Sequence, residues 1–385
     1  AFFFHLFLFT MLLTVLANNL GVMWIAIEGT TLASAFLVNV DDKKSSIEAA
    51  WKYLILCSVG ISLALFGIIL VYYSSIAQLA AGESGLLLNW TFLLEKSAYL
   101  DARIIRLAFI FILVGYGTKA GLAPLHSWLP DAHSQAPAPV SALLSGVLLS
   151  CAAFGILRFP ILTRAVTDSS FSNSLLILFG VLSVALSVPF ILEQKDYKRL
   201  LAYSSVEHMG LAVAGFGFGG PLGFYGAVLH IINHAFTKSL LFFTSGHILH
   251  LFQTKEIGKV SGLLRKRAFV GGMFFLGALA IAGMPPFSVF ASEFLILSAG
   301  FLAGKWVPCT LLLVLLALVF IGFLRHANAM TFGPAEKAPA AERNFLMDGV
   351  LCVGFAVILV MGFYVPGPLA ELIREASRIA EGAVR

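Results

Sequence analysis

The chain has 385 residues, of which 59% are apolar and only 12% charged, with 35 phenylalanines and a mean hydropathy of +0.94. A soluble domain carries roughly 25% charged residues, so this balance excludes a water-soluble globule and points to spanning helices, each needing about 20 mostly apolar residues. A net charge of +5 would suggest nucleic acid in a soluble protein; here it reads as loop charge that sets membrane topology, and no nucleic-acid partner is expected.

Apolar runs separated by polar punctuation give about eleven spans in an all-α, polytopic fold. In order they are Phe2–Ala17, Leu20–Val40, Tyr53–Tyr73, Leu107–Leu129, Val140–Phe159, Leu175–Leu192, Leu200–Phe218, Leu222–Phe252, Phe269–Ala303, Val307–Leu324 and Phe345–Tyr364. Beyond them, Glu371–Arg385 is charged with spaced apolar residues, the pattern of an interfacial helix. The opening Ala1-Phe2-Phe3-Phe4 has no initiator Met, basic n-region or cleavage site. It is therefore no signal peptide, and native sequence is expected before it. Cys57, Cys151, Cys309 and Cys352 stand singly in apolar stretches. Without CxxC pairs they read as packing residues, with no cluster, structural zinc or disulfide framework.

Basic residues alternate along the loops. Lys43, Lys44 and Lys52 follow the second span; Lys195, Lys198 and Arg199 the sixth; Lys255, Lys259, Arg265, Lys266 and Arg267 the eighth; Arg325, Lys337 and Arg343 the tenth. The other loops are poorer: Lys96, Arg103 and Arg106 lie near Glu83, Glu95 and Asp101, and Lys305 stands alone. The loops after even-numbered spans are thereby expected on the cytoplasmic side. Lys119 and Lys238 remain as the only lysines deep inside apolar runs.

Two spans are broken in a related way. Residues Ala120–Asp131 read AGLAPLHSWLPD and Ala282–Glu293 read AGMPPFSVFASE, so an offset of 162 aligns Ala-Gly, Pro124 with Pro286, and Asp131 with Glu293. A looser echo pairs Ile27-Glu28 with Val206-Glu207. Each break falls in the fourth span of a set of five, which predicts two five-helix repeats of inverted topology, over residues 1–170 and 171–330. A terminal helix and tail then occupy 331–385. Gly/Pro-interrupted helices at matching positions are where transporters bind their ions.

An ionisable side chain at a membrane centre costs about 2.5–3.5 kcal/mol on insertion scales. Lys119 sits halfway along the fourth span and Glu28 near the middle of the second. A lysine whose carboxylate partner approaches or withdraws can take up or release a proton near neutrality; a static ion pair gluing two helices fits the same spacing. His230, His234 and Lys238 fall at i, i+4 and i+8 and share a helix face with about 6 Å of rise between neighbours. Histidine relays protons through either ring nitrogen. Zinc and haem fit this pair less well, because HIINH lacks the acid of HExxH and axial haem ligands come from facing helices. Glu293 follows the second break and is expected to line a wet cavity. His126, Asp131, Glu207 and His208 are candidates for proton access, the last two from the cytoplasmic side. Asp131 and His133 also fit as helix caps. His247, His250 and His326 lie nearer loops and read as bystanders.

At these residues the sequence resembles a known family. GTKAGLAPLHSWLPDAHSQAPAPVSALLSG (117–146), DYKRLLAYSSVEHMG (196–210) and HIINHAFTKSLLFFTSGHI (230–248) are similar to the antiporter-like subunits of respiratory complex I, Mrp antiporters and membrane-bound hydrogenases. WIAIEGTTLASAFLV (24–38) most resembles the F-type membrane subunit of hydrogenase-4 and formate hydrogenlyase complexes. The resemblance implies a fourteen-helix fold with two inverted five-helix repeats, of which this chain would lack the first three helices, and a hydrated polar axis along the midplane. It implies that Glu28 and Lys119 are a coupling pair, that His230, His234 and Lys238 are a connecting relay, and that Glu293 is the distal exit. One departure stands out: relatives often place a Lys or His in the fifth span, which here reads SALLSGVLLSCAAFGILRF with only Ser145, Ser150 and Cys151.

The function implied is proton translocation coupled to electron transfer in partner subunits, with no cofactor, metal or redox chemistry in this chain. Other membrane subunits are the implied partners, with nickel–iron and iron–sulfur subunits acting indirectly, in a prokaryotic cytoplasmic membrane. A cation/proton antiporter or inorganic-carbon uptake subunit, or a non-pumping structural subunit, are the alternatives.

Overall fold

A computed structural model describes residues 1–78, 85–167, 169–334 and 345–381. Three of the loop charges counted above, Glu83, Lys337 and Arg343, lie outside the described residues, as does the stretch 382–385 of the terminal segment.

Among the described residues the secondary structure is helical apart from two isolated bridges, Asn19 with Asn89 and Asp196 with Glu256. The first half holds α1 (Phe2–Leu16), α2 (Leu20–Val38), α3 (Lys44–Gln78), α4 (Trp90–Glu95), α5 (Ala102–Ala120) and α6 (Trp128–Gln135). Then α7 (Ala138–Leu143) runs through a π-helical turn, Leu144–Leu148, into α8 (Leu149–Val166). The second half holds α9 (Ser169–Leu192), α10 (Tyr197–Phe218), α11 (Gly220–Phe252), α12 (Leu263–Lys266), α13 (Ala268–Ile281), α14 (Ser288–Leu302) and α15 (Trp306–Phe332). The chain closes with α16 (Phe345–Phe363) and α17 (Gly367–Ala380). Six described helices are long and apolar enough to cross a membrane, and α1, α13 and α14 are shorter apolar helices. The helices α5, α10 and α11, which carry Lys119, Glu207, His208, His230, His234 and Lys238, are not among the six.

Local sequence explains the helix starts. Asn19, Asp101 and Asp196 each turn a side-chain oxygen onto two free backbone N–H groups of the first turn of α2, α5 and α10, the usual chemistry of a polar N-cap. Both breaks have the same backbone: α5 ends at Gly121 with φ of 77° and α13 runs into Gly283 with φ of 75°. That left-handed turn suits glycine because it has no Cβ. A cis X–Pro bond follows each, at Ala123–Pro124 and Pro285–Pro286. The offset of 162 read from the sequence thus relates these features of the two breaks.

The outer helices show their apolar residues to the surroundings: Leu12, Ile25, Phe36, Leu311, Leu313 and Ile321 are exposed, as lipid contact requires. In contrast, α10 is buried on nearly every face. It can lie there because its packing face is small. A Cβ on Gly210 would stand 2.7 Å from Ser183 Cβ and 2.8 Å from the Gly180 carbonyl of α9, so the two backbones touch, as in membrane helix pairs built on small residues. The terminal helix α17 is amphipathic: Ala370, Ile373, Ser377 and Ala380 are buried while Glu371, Arg374 and Glu375 face outward. Ile373 packs with Leu229 of α11 and Met361 of α16.

Gly210→Ala is expected to destabilise the protein by about 1–3 kcal/mol through overpacking. Gly349→Ala, where nothing lies within 4 Å of the added carbon, is expected to cause no loss. Thermal unfolding of the two variants in detergent checks the pair; equal melting points would refute the close contact.

Candidate functional site

The break after α5 leaves Lys119 one residue from the helix end, fully buried among α2, α3 and α6. Its ammonium donates to the Tyr53 hydroxyl at 2.6 Å and to Thr31 Oγ1 at 2.9 Å. It also stands 4.6 Å from the centroid of the Tyr53 ring and 5.8 Å from that of Trp128, where aromatic faces stabilise a desolvated cation. Glu28 does not meet Lys119 in an ion pair. Its Oε1 accepts from Ser58 at 2.6 Å and its Oε2 from Thr31 at 3.3 Å. The expected direct pairing is therefore corrected to a bridge, with Thr31 Oγ1 between ammonium and carboxylate. A hydroxyl suits that place because it has one proton to give and lone pairs to accept with. Thr31 reaches Glu28 because residues three apart share a helix face.

A second group gathers α10, α11 and α14 around His208. The Nε2 of His208 lies 2.9 Å from the Ile281 carbonyl, at the end of α13, and its Nδ1 lies 3.1 Å from His230 Nε2. In turn, His230 Nδ1 lies 3.0 Å from Ser292 Oγ. A carbonyl only accepts, so with both rings neutral His208 donates through Nε2 and receives His230 Nε2–H at Nδ1, leaving His230 Nδ1 as acceptor toward Ser292. Around this pair stand two carboxylates. Glu207 Oε2 is 3.2 Å from His208 Nε2, and Glu293 Oε1 is 3.9 Å from His208 Nδ1. The Glu293 carboxylate rests against Gly283, where any Cβ would collide with it. Lys238 donates to the Leu201 carbonyl at 2.6 Å and to Ser204 Oγ. His234 is fully buried with its ring centroid 5.4 Å from that of His208, and neither of its nitrogens has a hydrogen-bond partner.

The structure thus brings His230, His234, Lys238 and Glu293 together, and Glu28 and Lys119 separately. Glu207 and His208 are each only 1% exposed and lie at the centre of the second group, not at the surface. Asp131 joins neither group. Its carboxylate sits with Arg199 at 2.5 Å and Lys52 at 3.5 Å, so tertiary pairing fixes it at a polar cluster. His126 is nearly buried beside Phe190 and Tyr203, with its Nδ1 unbonded. Lys198, counted as a loop charge, is buried and donates to the Ala136 carbonyl at 2.5 Å. Close by, Lys255 donates to the Ser134 carbonyl at 2.6 Å. Half-burial holds the Lys255 ammonium below its ordinary pKa, with Lys43 and Arg199 adding repulsion against the pull of Asp196 and Asp41.

His133, which the sequence offers only as a helix cap, is placed differently by the structure. It is fully buried, stacks on Phe242 with centroids 4.8 Å apart, and has both ring nitrogens without partners. A signal existed: Trp128, Leu129, Ala132 and His133 form one stripe at helical spacing, and all four are fully buried. Between the two groups, Ser145 in the π-helical turn shares a 2.7 Å hydrogen bond with Ser205, next in sequence to the Ser204 that holds Lys238. Ser150 bonds back to the Gly146 carbonyl. No continuous chain of direct hydrogen bonds joins Lys119 to Lys238 among the described residues.

Similarity to known proteins agrees with this geometry. The sequence profile described as NADH:quinone oxidoreductase/Mrp antiporter, TM, matches residues 17–321. The chain is 40% identical over 370 residues to a hydrogenase-4 component F homolog of Methylacidiphilum infernorum, covering 96% of this chain and 77% of that one. It is 33% identical to hydrogenase-4 component B of Escherichia coli, covering 76% of this chain but only 44% of the relative. Among solved structures, a chain of an archaeal membrane-bound sulfane sulfur reductase superposes with a TM-score of 0.89 at 25% identity, over 98% of this chain and 75% of that chain. A chain of the Mrp complex from Dietzia shares the fold with a TM-score of 0.85 at 18% identity, over 98% and 76%. Those structures are multi-subunit membrane complexes, and other membrane subunits are the partners this fold is built for. The chain belongs to the NADH:quinone oxidoreductase/Mrp antiporter transmembrane family, as a polytopic, antiporter-like membrane subunit of the complex I and hydrogenase-4 type.

Proposed function

We propose that the chain moves protons through its two buried groups, driven by electron transfer in partner subunits of a hydrogenase-type, complex I-like assembly in a prokaryotic cytoplasmic membrane. Nickel–iron and iron–sulfur partners would carry the redox chemistry, and the residues here would carry only protons. The observation that supports this best is the Glu28–Thr31–Lys119 bridge. One proton passes from Lys119 Nζ to Thr31 Oγ1 as the Thr31 proton passes to Glu28 Oε2, and both ends become neutral. Neutral forms are favoured away from water, while opposite charges nearby favour the ionised forms, so a small change around Glu28 tips the balance. Glu28 is only half-buried in this chain, which leaves it open to such a change from a neighbouring subunit.

In the second group the imidazole chain from Ser292 through His230 to His208 offers a relay, with Glu207 and Glu293 as proton holders. His133, His234 and the Ser145–Ser205 contact lie on its Lys119 side, and water is needed to complete the path. A second reading, a structural subunit that does not pump, is favoured by that gap alone.

Proton uptake by vesicles holding the whole complex, with and without redox substrate, separates the two readings. Lys119→Met is expected to abolish uptake, and Lys119→Arg to be nearly as damaging because arginine holds its proton. Normal uptake by Lys119→Met would sink the mechanism.

Thr31→Val keeps the shape but removes the hydroxyl. One hydrogen bond to a charged group contributes about 1.5–3 kcal/mol, so turnover-coupled uptake should fall at least about tenfold, while Thr31→Ser stays close to wild type. Equal uptake by Val and Ser variants would remove Thr31 from the path. His133→Phe is a near-isosteric change beside Phe242 that should alter stability by less than about 1.5 kcal/mol yet lower proton uptake; a fall in melting temperature without loss of uptake would make His133 a packing residue.

A further inference from the structure

We propose that the junction of α10, α11 and α14 is a binding site for a first-row divalent transition-metal ion of the zinc class, held by Glu207, His208 and Glu293 with His234 completing the shell. The first three residues each present a ligand atom, and these atoms all lie within 4.8 Å of one another. Zinc takes imidazole nitrogen and carboxylate oxygen at about 2.0–2.2 Å, which puts tetrahedral ligand atoms roughly 3.3 Å apart. With His208 Nδ1 as the ligand atom, Glu293 Oε1 at 3.9 Å is close to that spacing. The 3.2 Å approach of Glu207 is to the other ring nitrogen, Nε2, so the Glu207 carboxylate has to swing toward Nδ1, within the 4.8 Å that encloses the group.

Three further observations point to an ion. Both oxygens of Glu207 lack a hydrogen-bond partner although the residue is 1% exposed; its 3.2 Å approach to His208 Nε2 is not in hydrogen-bonding geometry. Both nitrogens of His234, fully buried with its ring 5.4 Å from that of His208, are likewise unpartnered. Buried polar atoms are nearly always satisfied, and a cation would give a partner to Glu207 and, with His234 turned toward it, to one nitrogen of that ring. Finally, His208 Nε2 donates to the Ile281 carbonyl at 2.9 Å, which makes Nδ1 the ligand atom on the side of Glu293; the ion would take the place of the His230 N–H that Nδ1 accepts without it. Metal-bound histidines are oriented in this way, one nitrogen on the ion and the other on a backbone carbonyl.

Charge agrees with the donor set. Once deprotonated, the two buried carboxylates would carry two negative charges, and a divalent ion that displaces their protons would cancel them where water cannot. Mixed imidazole and carboxylate donors suit zinc, cobalt, nickel or iron, whereas calcium and magnesium require more oxygens than converge here. Glu293, 8% exposed, is the least buried of the three. Gly283 leaves the space its carboxylate occupies.

Binding is independent of whether the chain pumps; only a block of proton flow by the ion rests on the function proposed above. The test uses the purified whole complex, cleared of loose metal with a chelator and titrated with Co2+, a zinc substitute with visible d–d absorption. Wild type is expected to bind one more Co2+ than Glu207→Gln or His208→Gln, with a tetrahedral difference spectrum that Zn2+ displaces. Ser292→Ala, which removes no ligand, is expected to retain both. Each variant is first checked for full subunit content, and the isosteric Glu207→Gln decides the matter if His208→Gln does not assemble. Equal Co2+ binding and identical spectra in wild type and Glu207→Gln would overturn the site. Zinc bound at this site with undiminished proton uptake would keep the site and count instead against a relay through His208.

Discussion

An ammonium ion in the interior of a helical bundle has to be met by oxygen or aromatic faces, because water is not at hand and hydrocarbon does not solvate it. Much of the first half of this protein is arranged around that requirement at Lys119. The helix ends directly after it, and a left-handed glycine turns the chain away. Tyr53, Thr31 and Trp128 close over the amine, and Ser34 and Ser58 support Tyr53 and Glu28 in turn. The three groups that meet the amine, Thr31, Tyr53 and Trp128, come from α2, α3 and α6, so the charge is stable only when α2, α3, α5 and α6 are all in place.

The second half meets the same requirement differently. Its break brings the end of α13 against His208, whose Nε2 is held by a carbonyl that the helix terminus leaves free. The residue that aligns with Asp131, Glu293, lies in the buried centre here, while Asp131 itself is held in a polar cluster by Arg199 and Lys52. Equivalent places in the two breaks thus hold acids with different partners. What distinguishes them is the length of the helix that follows: α6 is short and ends at Gln135, whereas α14 runs on from Ser288 to Leu302.

Between the groups, the packing of small residues sets the distances. The contact of Gly210 with Gly180 presses α10 against α9, and burial on nearly all sides makes α10 the element that carries Ser204, Ser205, Glu207 and His208 together. The π-helical turn presents Ser145 to Ser205 between the two groups. This contact is made by two hydroxyls, which carry no charge.

The amino-acid sequence by itself determined the membrane character, the order of the helices and the two breaks, because hydropathy, helical spacing and Gly-Pro chemistry act over a few residues. It also singled out Glu28, Lys119, His230, His234, Lys238 and Glu293, since an ionisable residue inside an apolar run is conspicuous without any knowledge of its neighbours. Only tertiary structure decided the partners. That Thr31 stands between Glu28 and Lys119, that His208 meets His230, and that Asp131 pairs with Arg199 all depend on contacts between residues 22 to 88 positions apart. His133 lay between the two cases: its stripe was legible along the helix, but its unbonded nitrogens were not. Local pattern fixes which face of a helix is buried, and only packing fixes what that face meets.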